Sequence, residues 1–114
     1  MYHIRYTINM KKIIKYQLEN GKIPFDEWFA GIDNVQKAKV LVRLERLKNG
    51  LYGKYRNLKK GVSELKFENG IRIYFHEDCD TVVLLLNAGN KKRQQDDIEQ
   101  AEIYVQDYKE RNKK

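Results

Sequence analysis

The stretch GVSELKFENGIRIYF, residues 61–75, decides the fold, because apolar and polar residues alternate on both sides of a turn. A two-residue turn at Asn69-Gly70 would mix apolar and charged side chains on each face of the hairpin. A three-residue loop over residues 68–70, with Gly70 in the left-handed region, gathers four apolar side chains on one face: Leu65, Phe67, Ile71 and Ile73. We predict this second register, because only it keeps the apolar face unbroken.

The predicted register also defines a polar face of the hairpin. Glu64 lies opposite Tyr74 and Lys66 lies opposite Arg72, with His76 further along the same face. Two cations that face each other across strands repel unless an anion lies between them. The polar face is therefore either a solvated sheet face, which antiparallel sheets allow, or a site for an anionic ligand.

The residues before the hairpin predict one strand and two helices. Apolar residues alternate at residues 2–8, and residues 10–18 also have strand character; we favour the second segment as the first strand. Pro24 suits the first turn of a short helix. A second helix is predicted over residues 35–48, with four residues as its buried stripe: Val40, Leu44, Leu47 and Leu51. These two helices form a helical hairpin.

The residues after the hairpin predict an interior strand and a final helix. Residues 81–87 are apolar on both faces, which is typical of a central strand. The last helix is predicted from about residue 93 to 111, with a buried stripe of four residues: Ile98, Ala101, Val105 and Tyr108. The predicted fold is α+β: an N-terminal strand, a two-helix hairpin, a three-stranded antiparallel sheet and a C-terminal helix.

The length of 114 residues predicts one domain over residues 1–114. Met10 offers an alternative start, which would leave residues 1–9 as an N-terminal extension, and we expect residues 111–114 to fray. The single cysteine, the missing signal-peptide pattern and the short apolar runs predict a cytoplasmic protein without membrane contact.

Charge is distributed unevenly along the chain, whose net charge is +7. Residues 37–60 carry nine cations and one acid, whereas residues 96–110 carry six acids and one lysine. A basic central segment indicates a polyanionic partner.

The chemistry of the polar face favours RNA cleavage without a metal or other cofactor. The histidines and the cysteine lack zinc spacing, the only serine has no triad, and no phosphate-binding glycine loop is present. Metal-free cleavage requires a base for the 2′-hydroxyl, cations for the phosphorane charge and an acid for the 5′-oxygen. Lysine, arginine, tyrosine and glutamate supply those functions, whereas a solvated face remains about equally compatible with the spacing alone.

Four segments follow one another along the chain: PFDEWFAGID, VRLERLKNGLYGKYRNLKKGVSELKF, GIRIYF and LLLNAGNKKRQQDDIEQA. In this order and spacing they resemble the RelE/HigB superfamily of type II toxin–antitoxin toxins. The most similar branch is that of addiction module killer proteins, or phage-derived HigB-like toxins. The resemblance covers roughly residues 10–106. It implies a RelE-like fold and a ribosome-dependent mRNA interferase that enters the ribosomal A site. It also implies a cognate antitoxin, HigA-like with a helix-turn-helix domain, through which operator DNA is bound indirectly.

The resemblance also implies site residues. The family's Glu-Leu-Arg stands here as residues 64–66, so that Lys66 replaces an arginine and loses bidentate geometry. The family's Gly-Asp-Lys-Ser-Ser-Gln stands as residues 89–94, where Asn90 replaces an acid and residues 92–93 replace two hydroxyl residues. In the implied catalytic set, Arg72 binds the scissile phosphate, and Lys91 and Lys66 share proton transfer and charge neutralisation. Tyr74 stacks on the nucleotide or forms a hydrogen bond with it. Glu64 orients a lysine or acts as the base. The expected substrate or ribosome contacts are Lys92, Arg93, Gln94, Lys54, Arg56, Lys59 and Lys60.

Three alternatives remain open at this point. ParE-like relatives of the same fold inhibit DNA gyrase and cut no RNA. A non-catalytic nucleic-acid-binding module explains the charge equally well and predicts salt-sensitive binding without a cleaved product. An inactive toxin retained for operon regulation is compatible with the substitutions at Lys66, Asn90, Lys92 and Arg93.

Overall fold

The computed structural model describes residues 10–113, so the alternating segment at residues 2–8 lies outside the described residues. The first strand is β1 (Lys12–Lys15), as favoured from the sequence, and two helices follow it: α1 (Pro24–Ala30) and α2 (Asn34–Lys48). Four strands come next: β2 (Tyr55–Asn57), β3 (Ser63–Lys66), β4 (Ile71–Asp78) and β5 (Val82–Asn90). A 3₁₀ turn (Lys91–Arg93) then leads into α3 (Gln94–Arg111).

The strands form one mixed sheet of five in the order β1-β5-β4-β3-β2. β1 runs parallel to β5, and the other neighbours are antiparallel. The α+β class is confirmed, and the three predicted antiparallel strands are β3, β4 and β5. The sheet is nevertheless five-stranded and mixed rather than three-stranded and antiparallel, because β1 extends one edge and β2 the other. β5 is an interior strand, as predicted, and it continues three residues past the predicted end.

The predicted hairpin register is confirmed. Glu64 pairs with Tyr74 and Lys66 pairs with Arg72. Gly70 has φ +98°, and its N–H donates to the Phe67 carbonyl over 3.1 Å. The three-residue loop therefore forms because glycine accepts the left-handed conformation that ends it.

Two apolar cores cover the two faces of the sheet. On one face, buried residues of α1 and α2 pack against the apolar face of the hairpin: Phe25, Val40, Leu47, Leu65, Ile73 and Phe75. On the other face, α3 packs through Ala101 and Val105 against Val62, Tyr74, Leu84 and Leu86. The polar face is therefore not a solvated sheet face, because α3 lies over much of it.

A β-bulge in β5 changes which residues face α3. Tyr74 pairs with Asn87 whereas Phe75 pairs with Leu85, so Leu86 is the extra residue. Leu86 and Asn87 consequently both lie on the α3 side, Leu86 in the core and Asn87 in a hydrogen bond to the helix.

The helix ends bear on two further expectations from the sequence. Leu51 is 62% exposed rather than buried, because α2 ends at Lys48 and the chain turns away from the core. α3 remains helical through Arg111, whose guanidinium donates to Asp107 over 2.7 Å and to the Gln17 carbonyl over 2.6 Å. None of the helices within residues 10–113 combines the length and the apolar composition needed to cross a bilayer.

Candidate active site

A row of polar residues crosses four strands beneath the first turn of α3. Arg56, Glu64, Tyr74 and Asn87 pair with one another in sequence from β2 to β5. Glu64 is fully buried at the centre of this row, where Oε1 accepts from Arg56 Nε over 2.8 Å and Oε2 accepts from Gln94 Nε2 over 2.6 Å. Glu64 therefore holds an arginine and the start of α3, and not a lysine as one expected role required.

Tyr74 is also fully buried, so its ring is not available to stack on a nucleotide in this conformation. Among the residues that the structure describes, its hydroxyl has no hydrogen-bond partner. Burial raises the pKa of Tyr74, and the negative charges of Glu64 and Asp97 raise this pKa further. Tyr74 is therefore a neutral phenol that supports the row, rather than an exposed base contact.

Arg72 and Lys66 are neighbouring cations at the end of the same hairpin. Arg72 is 9% exposed, and its Nη1 donates to the carbonyls of Ile71 over 2.9 Å and Phe67 over 3.0 Å. Within the described part of the chain, its Nε has no hydrogen-bond partner, and neither Arg72 nor Lys66 forms an ion pair. A nearly buried cation held only by neutral carbonyls is stabilised by an anionic ligand.

Sequence reasoning missed three residues that seat α3 over this site: Asn87, Gly89 and Asp97. Asn87 Nδ2 donates to the Asp97 carbonyl over 3.1 Å. Gly89 pairs with Arg72, and a Cβ atom at Gly89 would lie 2.1 Å from Asp97 Oδ2. The signal for this close approach was a glycine within an apolar strand.

Burial raises the pKa of Asp97, whereas the charge of Arg93 opposes that shift and that of Asp96 adds to it. The sequence indicated Asp97 only as a favourable acid in the first turn of a helix. Its position against Gly89 instead makes it part of the contact between α3 and the sheet.

The residues that follow β5 lie at the same end of the sheet as Lys66 and Arg72. Lys66, Arg72 and Gly89 are aligned across β3, β4 and β5. The Cα atoms of Lys66 and Gly89 are therefore about 10 Å apart, which is twice the spacing between neighbouring strands. Lys91 follows two residues later in the 3₁₀ turn and is exposed, as are Lys92 and Arg93. Gln94, an expected substrate contact, instead uses its amide to hold Glu64.

The remaining expected contacts are spread over the surface. Arg56 binds Glu64, Lys60 lies 3.8 Å from Glu102, and Lys59 is exposed. Lys54 lines a groove of about 750 Å³ with four further cations, Lys39, Arg43, Arg46 and Lys66. The structure therefore brings Lys54 and Lys66 together and leaves Lys59 and Lys60 apart from them.

The arrangement provides cations and neutral donors for a phosphate, with Lys66 and Lys91 as the accessible groups for proton transfer. In residues 10–113, no three histidine, cysteine, aspartate or glutamate side chains are grouped as a metal site would require. Glu64, Tyr74 and Arg72 are buried, whereas Lys66 is half-buried and Lys91 is exposed.

Comparison with known proteins places this site within a family. Residues 27–109 match the model of the family described as phage-derived protein Gp49-like, and this range covers the second half of α1, all of α2, the strands of the candidate site and most of α3. The chain is also similar to a Haemophilus influenzae protein described as an uncharacterized protein, with 33% identity over 88 residues, 75% of this chain and 89% of that relative. The expected RelE/HigB resemblance fits only coarsely, whereas its toxin–antitoxin class and phage-derived character are confirmed. The chain belongs to the Gp49-like family of phage-derived proteins, a family associated with toxins of toxin–antitoxin systems and thus with an antitoxin partner.

Proposed function

We propose that this protein is a toxin that cleaves mRNA in the ribosomal A site without a metal. The 2′-oxygen forms a bond to the adjacent phosphorus, and the bond from that phosphorus to the 5′-oxygen breaks. The 2′-hydroxyl proton passes to a base on the protein, and an acid returns a proton to the departing 5′-oxygen. The products are a 2′,3′-cyclic phosphate and a 5′-hydroxyl.

The observation that carries the proposal is the unpaired Arg72–Lys66 couple at the end of the hairpin. Charge develops on the phosphorane oxygens, and two neighbouring cations that have no carboxylate partner within residues 10–113 are suited to stabilise it. Lys91, in the turn that follows Gly89, shares proton transfer and charge neutralisation with Lys66. Glu64 and Tyr74 act as positioning residues, because both are buried and Glu64 holds Gln94 at the start of α3.

The exposed cations support binding to the ribosome. Lys92 and Arg93 continue the turn beyond Lys91, and Lys54 extends the cationic surface from Lys66 toward α2. Contacts of this kind with RNA phosphates predict binding that weakens steeply as salt is raised.

Purified protein mixed with ribosomes on a defined mRNA tests the proposal. The wild type is expected to give discrete cleavage at A-site codons, mapped by primer extension. Arg72→Ala and Lys91→Ala are each expected to lower the single-turnover rate by about 100-fold, since each removes a charge that acts on the transition state. Lys109→Ala is the matched control, because this exposed lysine lies near the far end of α3, about 22 Å from Gln94 by helical rise.

A non-catalytic nucleic-acid-binding module is the second candidate, and the burial of Glu64 and Tyr74 favours it. It predicts salt-sensitive retention of RNA with intact mRNA in the same assay. A ParE-like gyrase inhibitor predicts double-strand DNA breaks on expression while mRNA stays intact. Either result would overturn the cleavage proposal.

A further inference from the structure

Helix α2 carries an apolar stripe on the side that faces away from the sheet. Val35 and Val42 are 64% and 53% exposed, and Ala38 lies between them at helical spacing. Leu41, beside this stripe, is also exposed, so three of the exposed large apolar residues belong to this one helix. Solvated helix faces are normally polar, so an apolar stripe of this kind marks a contact surface.

The stripe borders a groove between α2 and the end of β3. This groove has a volume of about 360 Å³, and its floor is apolar, formed by Ala38, Val42 and Phe67. Arg43 fixes the floor: its guanidinium lies 4.7 Å from the centre of the Phe67 ring and donates to the carbonyls of Tyr52, Lys54 and Lys66. A floor held by so many contacts is preorganised to accept an apolar side chain.

The rim of this groove is cationic and unneutralised. Lys39 and Arg46 line it, and neither forms an ion pair with any residue between 10 and 113. The acidic helix α3 packs on the opposite face of the sheet. Glu68 lines the adjoining larger groove with Lys39 and Arg46, but within residues 10–113 it forms an ion pair with neither of them.

We propose that the α2 groove is the docking site for an acidic amphipathic helix of the antitoxin. Apolar residues at helical spacing on that helix insert over Val42 and Phe67, and its carboxylates pair with Lys39 and Arg46. An RNA strand would use the cations equally well but would gain nothing from the apolar stripe, which is why a protein helix fits better. The proposal rests on the toxin–antitoxin association and not on RNA cleavage, so the two fail separately.

A labelled synthetic peptide of about five helical turns tests the proposal. The peptide carries leucines at i, i+3 and i+7 flanked by glutamates, and a scrambled peptide of the same composition is its control. Binding to the full chain is measured by fluorescence anisotropy. We expect binding of the designed peptide that weakens about tenfold in Val42→Ser and in the double variant Lys39→Ala/Arg46→Ala.

Ile103→Ser is the matched control variant, because Ile103 is an equally exposed apolar residue on α3. It should leave peptide binding unchanged, and circular dichroism should show that all variants keep the wild-type melting curve. Absence of peptide binding, or binding that ignores Val42→Ser, overturns the proposal. Binding of a single-stranded RNA through Lys39 and Arg46 that does not depend on Val42 would assign the groove to RNA. A protein dimer that is broken by Val42→Ser would assign the groove to a second copy of the chain. Either result overturns the proposal.

Discussion

Replacement of Gly89 by alanine tests the seating of α3 over the candidate site. The new Cβ atom would lie 2.1 Å from Asp97 Oδ2, whereas nonbonded atoms prefer about 3.5 Å, so one of them must move by more than about 1 Å. Rotation of the carboxylate moves Oδ2 but leaves Asp97 Cγ 3.1 Å from the new Cβ atom, and the Asp97 backbone is held because its carbonyl accepts from Asn87 over 3.1 Å. The clash is therefore relieved either by a strained Asp97 rotamer or by outward movement of the first turn of α3.

The expected cost follows from these contacts. Overpacking typically costs about 1–3 kcal/mol, and replacing a strand glycine returns about 0.5–1 kcal/mol of backbone entropy. Gly89→Ala should therefore lower the free energy of unfolding by roughly 1–2 kcal/mol and the melting temperature by several degrees, measured by urea and thermal denaturation. Gly31→Ala is the matched control, because its Cβ would meet the Trp28 carbonyl at 3.6 Å, an ordinary contact.

A double-mutant cycle isolates the contact with Asp97. In an Asp97→Ala background, Gly89→Ala should be neutral or slightly stabilising, which corresponds to a coupling energy of about 1–3 kcal/mol. Wild-type stability of Gly89→Ala, or an equal loss of stability with and without the Asp97 carboxylate, would show that this contact does not seat α3.

Three further substitutions probe the supporting contacts by denaturation. Tyr16→Phe removes a 2.5 Å hydrogen bond to Asp107 and should cost about 1–2 kcal/mol at neutral pH. Burial and Asp107 raise the pKa of Tyr16 from 10.0 to about 12. The stabilisation by Tyr16 is therefore present below pH 10 and is lost between pH 10 and 12. The free energy of unfolding of Tyr16→Phe should lack this loss over the same pH range. Asp97→Asn should gain stability relative to the wild type as pH rises above 3.8, because burial raises the pKa of the Asp97 carboxyl and its ionisation then opposes folding. A difference in unfolding free energy between variant and wild type that stays constant with pH would contradict this. Arg43→Lys should cost about 2 kcal/mol, because a point charge cannot reproduce the guanidinium's carbonyl contacts and its stacking on Phe67; an unchanged urea midpoint would contradict this.

The hairpin was predictable because its two faces differ in polarity. An alternating pattern specifies register strongly when one face is buried, and Gly70 specifies the loop. The pairing of Lys66 with Arg72 and of Glu64 with Tyr74 followed directly from that register.

The strand β2 was not predictable by the same reasoning. All three of its residues are exposed, so no apolar alternation marks it, and it joins the sheet through backbone pairing with β3. Pairing of this kind depends on where the chain lies after α2, which local sequence does not encode.

The sequence also contains a signal that a helix covers the polar face of the hairpin. β5 is apolar on both faces, and α3 carries a buried stripe, so each implies that the second face of the sheet is covered. The polar residues on that face obscured the implication, because buried charge is uncommon unless it is paired. The pairing of Glu64 with Arg56 and Gln94 is what makes its burial stable, and neither partner lies on the predicted hairpin.

A programmed ribosome assay with a single 2′-deoxynucleotide tests whether the 2′-hydroxyl of the mRNA is the nucleophile in cleavage. The mRNA would carry the deoxy substitution at the nucleotide 5′ to the mapped cleavage site, and the product ends would be analysed by mass spectrometry. We expect that the unmodified mRNA yields a 2′,3′-cyclic phosphate and a 5′-hydroxyl, that the deoxy mRNA is not cut at that position, and that Arg72→Ala loses the product. Cleavage of the deoxy mRNA at the same bond, or products with a 3′-hydroxyl and a 5′-phosphate, would contradict it.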